Sequence, residues 1–184
     1  MRRADIPNII SLLRAALVPP FLWLLLEERY GAALALFAVA GVSDALDGYL
    51  AKRYNWRTRL GSILDPLADK LLLVCAYLAL GWLGQLPVWL VGIVVARDAV
   101  IVGGALAYHF KIRRFEASPS WLSKINTVAQ ILLIIVVLLA QGVLPLAGSV
   151  AGALMYTVLI TTVLSGLGYV WTWGRRALRD RSKT

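Results

Sequence analysis

Six apolar stretches, none shorter than 20 residues, fill most of this chain and leave only short polar gaps between them. They run Pro7–Leu26, Gly31–Leu50, Gly61–Leu83, Leu86–Phe110, Trp121–Leu144 and Leu146–Trp173. Crossing a hydrocarbon layer of about 30 Å takes about 20 helical residues. Backbone groups in lipid need partners within their own segment, so helices are the economical solution. The expected fold is therefore all-α and polytopic, with six transmembrane helices in a single domain spanning residues 1–184. Neither an internal repeat nor a low-complexity stretch interrupts it.

Composition agrees with the bilayer as solvent. The 184 residues are 60% apolar and only 16% charged, with a mean hydropathy of +0.74. A soluble domain of this size would carry about a quarter charged residues and could not hide the excess apolar surface. The net charge of +9 would suit nucleic acid or anionic lipid. The basic residues, however, sit in short gaps between apolar runs and not as a stripe on a soluble fold, which excludes a nucleic-acid partner. One set of gaps holds Arg2, Arg3, Lys52, Arg53, Arg57, Arg59, Lys111, Arg113, Arg114, Lys124 and the Arg175–Lys183 run, while the alternate gaps hold only Arg29. By the positive-inside rule both termini face the cytoplasm, which an even number of spans requires. A bacterial-type inner membrane is the expected location. Trp56, Trp82, Trp89, Trp121, Trp171 and Trp173 near the span ends read as interfacial anchors. Arg2 and Arg3 do not read as a secretory leader, because Arg14 interrupts the apolar run and Pro19-Pro20 follows it. Cys75 reads as a packed small hydrophobe and His109 as an interfacial residue.

The acids are the anomaly. Asp44, Asp47, Asp65, Asp69 and Asp98 fall inside or at the edges of apolar spans. A charge there costs several kcal/mol unless it is paired or metal-bound, so the default reading is functional. The alternative is a structural salt bridge with Arg14, Lys70 or Arg97. Asp44 and Asp47 are three residues apart, and Asp65 and Asp69 four, so each pair shares a helix face. The basic gap from Lys52 to Arg59 turns the chain back and brings both pairs near one membrane surface. Carboxylates converging there repel unless cations lie between them, and an all-oxygen donor set favours Mg²⁺ or Mn²⁺ over Zn²⁺. Gly48, Ala51 and Gly61 lie on the same stretch. They permit either close helix packing or room for a base and a phosphate.

Taken together, Asp44-Ala-Leu-Asp47-Gly48-Tyr-Leu-Ala51-Lys52, eight residues, then Gly61-Ser-Ile-Leu-Asp65-Pro-Leu-Ala-Asp69, resembles the signature of the CDP-alcohol phosphotransferase family, D-x2-D-G-x2-A-R-x8-G-x3-D-x3-D. Seven of the eight fixed positions match, with Lys52 standing where the family usually has arginine. The charge is kept and the bidentate fork is lost. The resemblance covers the whole chain, and Pro7-Asn8-Ile-Ile-Ser11-Leu-Leu-Arg14 is similar to the N-terminal segment of the family's phosphatidylglycerophosphate and cardiolipin synthases. It implies a homodimer with a cytosol-facing site holding two divalent ions. It also implies that Asp44, Asp47, Asp65 and Asp69 are metal ligands, that Asp69 is also the general base, and that Gly48, Ala51, Lys52 and Gly61 line the CDP site. Asn8 would lie near the nucleotide or cap the first helix.

The signature fixes the donor class and not the acceptor. Arg97-Asp98 and Ser123-Lys124-Ile-Asn126-Thr127 are similar to segments of the CDP-alcohol type of cardiolipin synthase. That similarity implies transfer of a phosphatidyl group from CDP-diacylglycerol to phosphatidylglycerol with release of CMP. Arg97 and Lys124 would grip the acceptor phosphodiester. The alternatives are an internal Arg97 pair with Asp98 or a signature Asp, and a topology-marking role for Lys124. Arg14 would reach a lipid phosphate or pair with an Asp. Two other activities compete: phosphatidylglycerophosphate synthesis from glycerol 3-phosphate, and a small ion-coupled transporter, which would place its acids nearer mid-membrane.

Overall fold

The computed structural model describes residues 6–54, 61–111, 121–144 and 148–181, with side chains placed over 12–44, 46, 54, 70–101, 103, 121–144 and 148–169. Six helices are found among the described residues: α1 (Ile6–Leu26), α2 (Tyr30–Tyr54), α3 (Gly61–Trp82), α4 (Val88–Lys111), α5 (Trp121–Gly142) and α6 (Gly148–Arg181). There is no strand among them, and each helix falls on one of the six expected apolar stretches. Two ends differ from expectation. α2 continues past Leu50 to Tyr54, and α6 past Trp173 to Arg181. Hydropathy marks where a helix leaves lipid, and strong helix formers such as Ala51, Lys52, Ala177 and Leu178 carry it further. Among the described residues, Trp121–Gly142 and Gly148–Tyr169 are long and apolar enough to cross a membrane. Leu12–Leu26, Tyr30–Asp44 and Lys70–Trp82 form shorter apolar helical stretches.

The chain divides into two compact units, residues 1–86 with 134–147, and residues 87–133 with 148–184. In the first, α1 packs on both α2 and α3. Val18, Phe21 and Leu25 of α1 are buried, as are Ala33, Phe37 and Ala40 of α2 and Leu73, Ala76 and Leu80 of α3. These positions recur at three- and four-residue steps, so each helix turns one stripe inward. The turn after α1 is tight: Arg29 N–H donates to Leu24 O at 2.8 Å and Glu28 N–H to Leu25 O at 2.9 Å, with Glu28 at φ 54°. This is the double-bonded C-terminal motif in which one residue takes the left-handed conformation. Here a glutamate fills the position that Gly84 fills after α3, at φ 72°. In the second unit α4 packs on α6.

One close approach in the first unit admits only glycine. A Cβ on Gly142, at the end of α5, would lie 2.6 Å from Gly31 N and 2.9 Å from Tyr30 C. Both are backbone atoms that cannot step aside. Gly142→Ala is expected to lower stability by about 1–3 kcal/mol, the usual cost of overpacking. Gly31→Ala, whose Cβ would meet Val143 Cγ2 at 3.8 Å, is expected to be tolerated. Thermal unfolding of the two variants side by side measures the difference.

Candidate functional site

The α1–α2 hairpin sets the first part of the site. The Phe21 and Phe37 rings pack against each other with centroids 5.8 Å apart. Seven residues away along each helix, toward the same end, Arg14 Nη1 meets Asp44 Oδ1 at 2.7 Å. Two turns of antiparallel helix return both chains to the same face, so the ring contact and the tight turn together dictate that Arg14 and Asp44 meet. The partners differ in exposure: the Arg14 side chain is 1% exposed and that of Asp44 43%. The cation is enclosed and the carboxylate looks outward. Of the sequence alternatives for Arg14, the structure shows the pairing with an Asp.

α2 continues through position 47, three residues beyond Asp44 on the same helix face, and α3 carries positions 65 and 69 on one face of its first turns. The side chains of Asp47, Asp65 and Asp69, and those of Asn8, Ala51 and Lys52, lie outside the described residues, as do the surroundings of Gly48 and Gly61. α1 begins at Ile6, which puts Asn8 inside the first turn and not at the capping position ahead of it. Four carboxylates of this kind would suit a hard divalent ion, and the one whose side chain is described, Asp44, is half-exposed and paired from behind with a buried guanidinium.

The second unit holds a polar cluster of its own. Arg97 is buried on α4. Its Nη1 donates to Asp98 Oδ1 at 2.6 Å, and its Nη2 donates to Ser123 Oγ on α5 and Ser165 Oγ on α6, each at 2.6 Å. The Arg97 stem passes Gly166, where an added Cβ would sit 3.7 Å from its Cγ. One turn further along α5, Asn126 is fully buried, and its Oδ1 accepts from Thr161 Oγ1 and Thr162 Oγ1 of α6 at 2.8 Å each. The steps 123 to 126 and 165 to 162 run in opposite senses, so α5 and α6 are antiparallel here. Among the described residues, Arg97 Nε and Asn126 Nδ2 are buried without a hydrogen-bond partner, an arrangement that costs free energy for each donor so placed.

Of the sequence alternatives for Arg97, the structure shows the internal pair with Asp98, and it brings Ser123 to the same guanidinium with Asn126 one turn along α5. It also adds Ser165, Thr161 and Thr162 of α6, which sequence reasoning did not select. The available signal was weak: hydroxyl residues one turn apart within an apolar helix. Lys124 stands apart from the cluster. It is exposed, with Nζ 5.2 Å from the centroid of the Trp121 ring, where a cation–π contact holds it.

With this geometry in place, comparison with known proteins gives the class. The chain belongs to the CDP-alcohol phosphatidyltransferase family, whose model matches residues 4–164. Members of this family generally use divalent metals. Among individual relatives, the chain is 32% identical over 95% of its length to the cardiolipin synthase (CMP-forming) of Rattus norvegicus, and spans 63% of that protein. It is 36% identical over 97% of its length to a protein of Mycobacterium tuberculosis named "Probable phosphatidylglycerophosphate synthase", and covers 84% of it. A stretch of 107 residues, 55% of the chain and 50% of the relative, is 45% identical to the cardiolipin synthase (CMP-forming) of Streptomyces coelicolor.

Proposed function

We propose that this protein is a membrane-embedded cardiolipin synthase that transfers the phosphatidyl group of CDP-diacylglycerol to phosphatidylglycerol and releases CMP. The observation that carries this reading is the family match over residues 4–164, which takes in the complete carboxylate signature on α2 and α3. Asp44, Asp47, Asp65 and Asp69 would hold two divalent ions, Mg²⁺ or Mn²⁺. When bound, these ions would neutralise the diphosphate and the departing phosphate. Asp69 accepts the proton from the attacking hydroxyl of the acceptor. A new O–P bond forms to the phosphatidyl phosphorus, the P–O bond to CMP breaks, and CMP leaves with its electron pair. Gly48, Ala51, Lys52, Gly61 and Asn8 bind the cytidine diphosphate portion. Lys52 contributes a point charge where the family usually has a fork.

Arg97 is assigned to the acceptor's phosphodiester through its Nε edge, which has no partner among the described residues, and Lys124 to the same acceptor from the membrane surface. Arg14 acts through Asp44 and not on a lipid phosphate. The protein is taken to cross an inner, cytoplasmic membrane six times as a single domain, with both termini and the site on the cytoplasmic side, and to work as a homodimer. Lipid tails then stay in the bilayer while the headgroup chemistry takes place at its edge.

The mycobacterial relative favours a second reading, phosphatidylglycerophosphate synthesis from glycerol 3-phosphate. An ion-coupled transporter has no support from the family match. Purified protein in lipid nanodiscs, given labelled CDP-diacylglycerol with each acceptor in turn, separates the two enzymes. Phosphatidylglycerol is expected to yield cardiolipin and CMP. Turnover with glycerol 3-phosphate but not phosphatidylglycerol would transfer the assignment to the second reading.

A further inference from the structure

Arg14 lies outside the carboxylate signature, yet it heads the fully buried side chains of the protein by volume among the described residues. A guanidinium enclosed by apolar helices is costly unless its charge is met. Asp44 meets it at 2.7 Å, and the antiparallel register enforces the contact. The contact is therefore built into the hairpin and is not an encounter between two mobile surface groups. Because Arg14 is enclosed and Asp44 half-exposed, the carboxylate can turn to a ligand in front of it while the guanidinium stays behind.

We infer that Arg14 is the resident counter-charge of the metal site: a positioning residue that holds Asp44 in place and partly neutralises the carboxylates when no metal is bound. The inference rests on the reading of Asp44 as a metal ligand given above. Several ionised carboxylates cannot share one site without compensating charge. A divalent ion supplies that charge only while bound, whereas Arg14 supplies one unit permanently from α1. The same fixed charge repels an arriving cation. Arg14 thus keeps the empty site assembled and at the same time weakens its hold on metal.

The sign of that second effect makes the inference testable without reference to turnover. Mn²⁺ affinity is read from the electron paramagnetic resonance of the free ion, using the full chain in nanodiscs without lipid substrate. Thermal unfolding is followed in chelator and in saturating Mn²⁺. Arg14→Met is expected to bind Mn²⁺ about tenfold more tightly, as removal of a unit charge a few ångströms from the ion predicts. It is also expected to unfold earlier than the wild type in chelator, with the gap narrowing when Mn²⁺ is added. Arg14→Lys, which keeps the charge, is expected to restore wild-type behaviour in both measurements. Arg14→Gln is a second neutral variant and is expected to follow Arg14→Met.

Unchanged or weaker Mn²⁺ binding in the neutral variants would overturn the inference. So would failure of both to fold with Mn²⁺ present, which would assign Arg14 to packing alone. Absence of Mn²⁺ binding by the wild-type protein is a separate result, and it would remove the metal-site reading itself.

Discussion

Asp69→Asn is expected to slow CMP release by about 100- to 10,000-fold, the range that a positioned general base contributes. Asparagine keeps the shape and one acceptor oxygen but cannot take the hydroxyl proton. The loss should fall on kcat, with KM for phosphatidylglycerol little changed, because proton removal matters only as the hydroxyl attacks. Asp69 is also assigned as a metal ligand, so a fall in rate alone would not distinguish the two roles. Asp65→Asn, a substitution at a position assigned to metal binding only, makes the distinction. Its activity should recover in part as Mn²⁺ is raised, since weakened binding yields to mass action. A missing base does not, so Asp69→Asn should remain slow at every Mn²⁺ concentration. Measuring CMP release across an Mn²⁺ titration for both variants separates the roles. An Asp69→Asn enzyme within tenfold of wild type would show that the proton leaves by another route.

What the sequence made legible was charge in the wrong solvent. Asp44, Arg97 and Asp98 stand out because ionised groups inside apolar runs are too costly to be incidental. Their partners were open, since sequence spacing cannot say which helix packs on which. The Arg14–Asp44 contact needed the hairpin register, set by the Phe21–Phe37 contact and by a turn in which Glu28 takes a conformation usually left to glycine. Ser165, Thr161 and Thr162 were harder to select. A hydroxyl in a membrane helix commonly returns to its own backbone, and Thr161 Oγ1 does reach Thr157 O at 2.8 Å. Only the antiparallel placement of α5 against α6 shows that the same hydroxyl also serves Asn126. The far end of α6 was missed for a different reason: hydropathy reports where lipid stops, and the helix continues to Arg181 on propensity.

Arg97 invites the second large test, because its cluster has both a structural and a functional account. Its Nη1 lies 2.6 Å from Asp98 Oδ1, with both side chains 4% exposed. Arg97→Met leaves the Asp98 carboxylate enclosed without its guanidinium, and the loss of one partner from a buried pair costs about 3–5 kcal/mol. A replacement that removes both charges together is far better tolerated, since neither ion then has to be desolvated. Arg97→Met with Asp98→Leu is accordingly expected to regain most of the lost stability in thermal unfolding, a non-additivity typical of directly bonded groups. Turnover should not follow. If Arg97 grips the acceptor's phosphodiester, the stable double variant remains slow, with a raised KM for phosphatidylglycerol and an unaltered response to Mn²⁺. Recovery of activity together with stability would reduce Arg97 to a counter-ion for Asp98, and the acceptor phosphate would have to be held by other cations such as Lys124. Ser165→Ala offers a milder version of the same test. It removes one hydrogen bond to a charged group, worth about 1.5–3 kcal/mol, and leaves the ion pair in place. A rise in acceptor KM out of proportion to that change in stability would indicate that α6 helps aim Arg97 at its substrate as well as hold it in the fold.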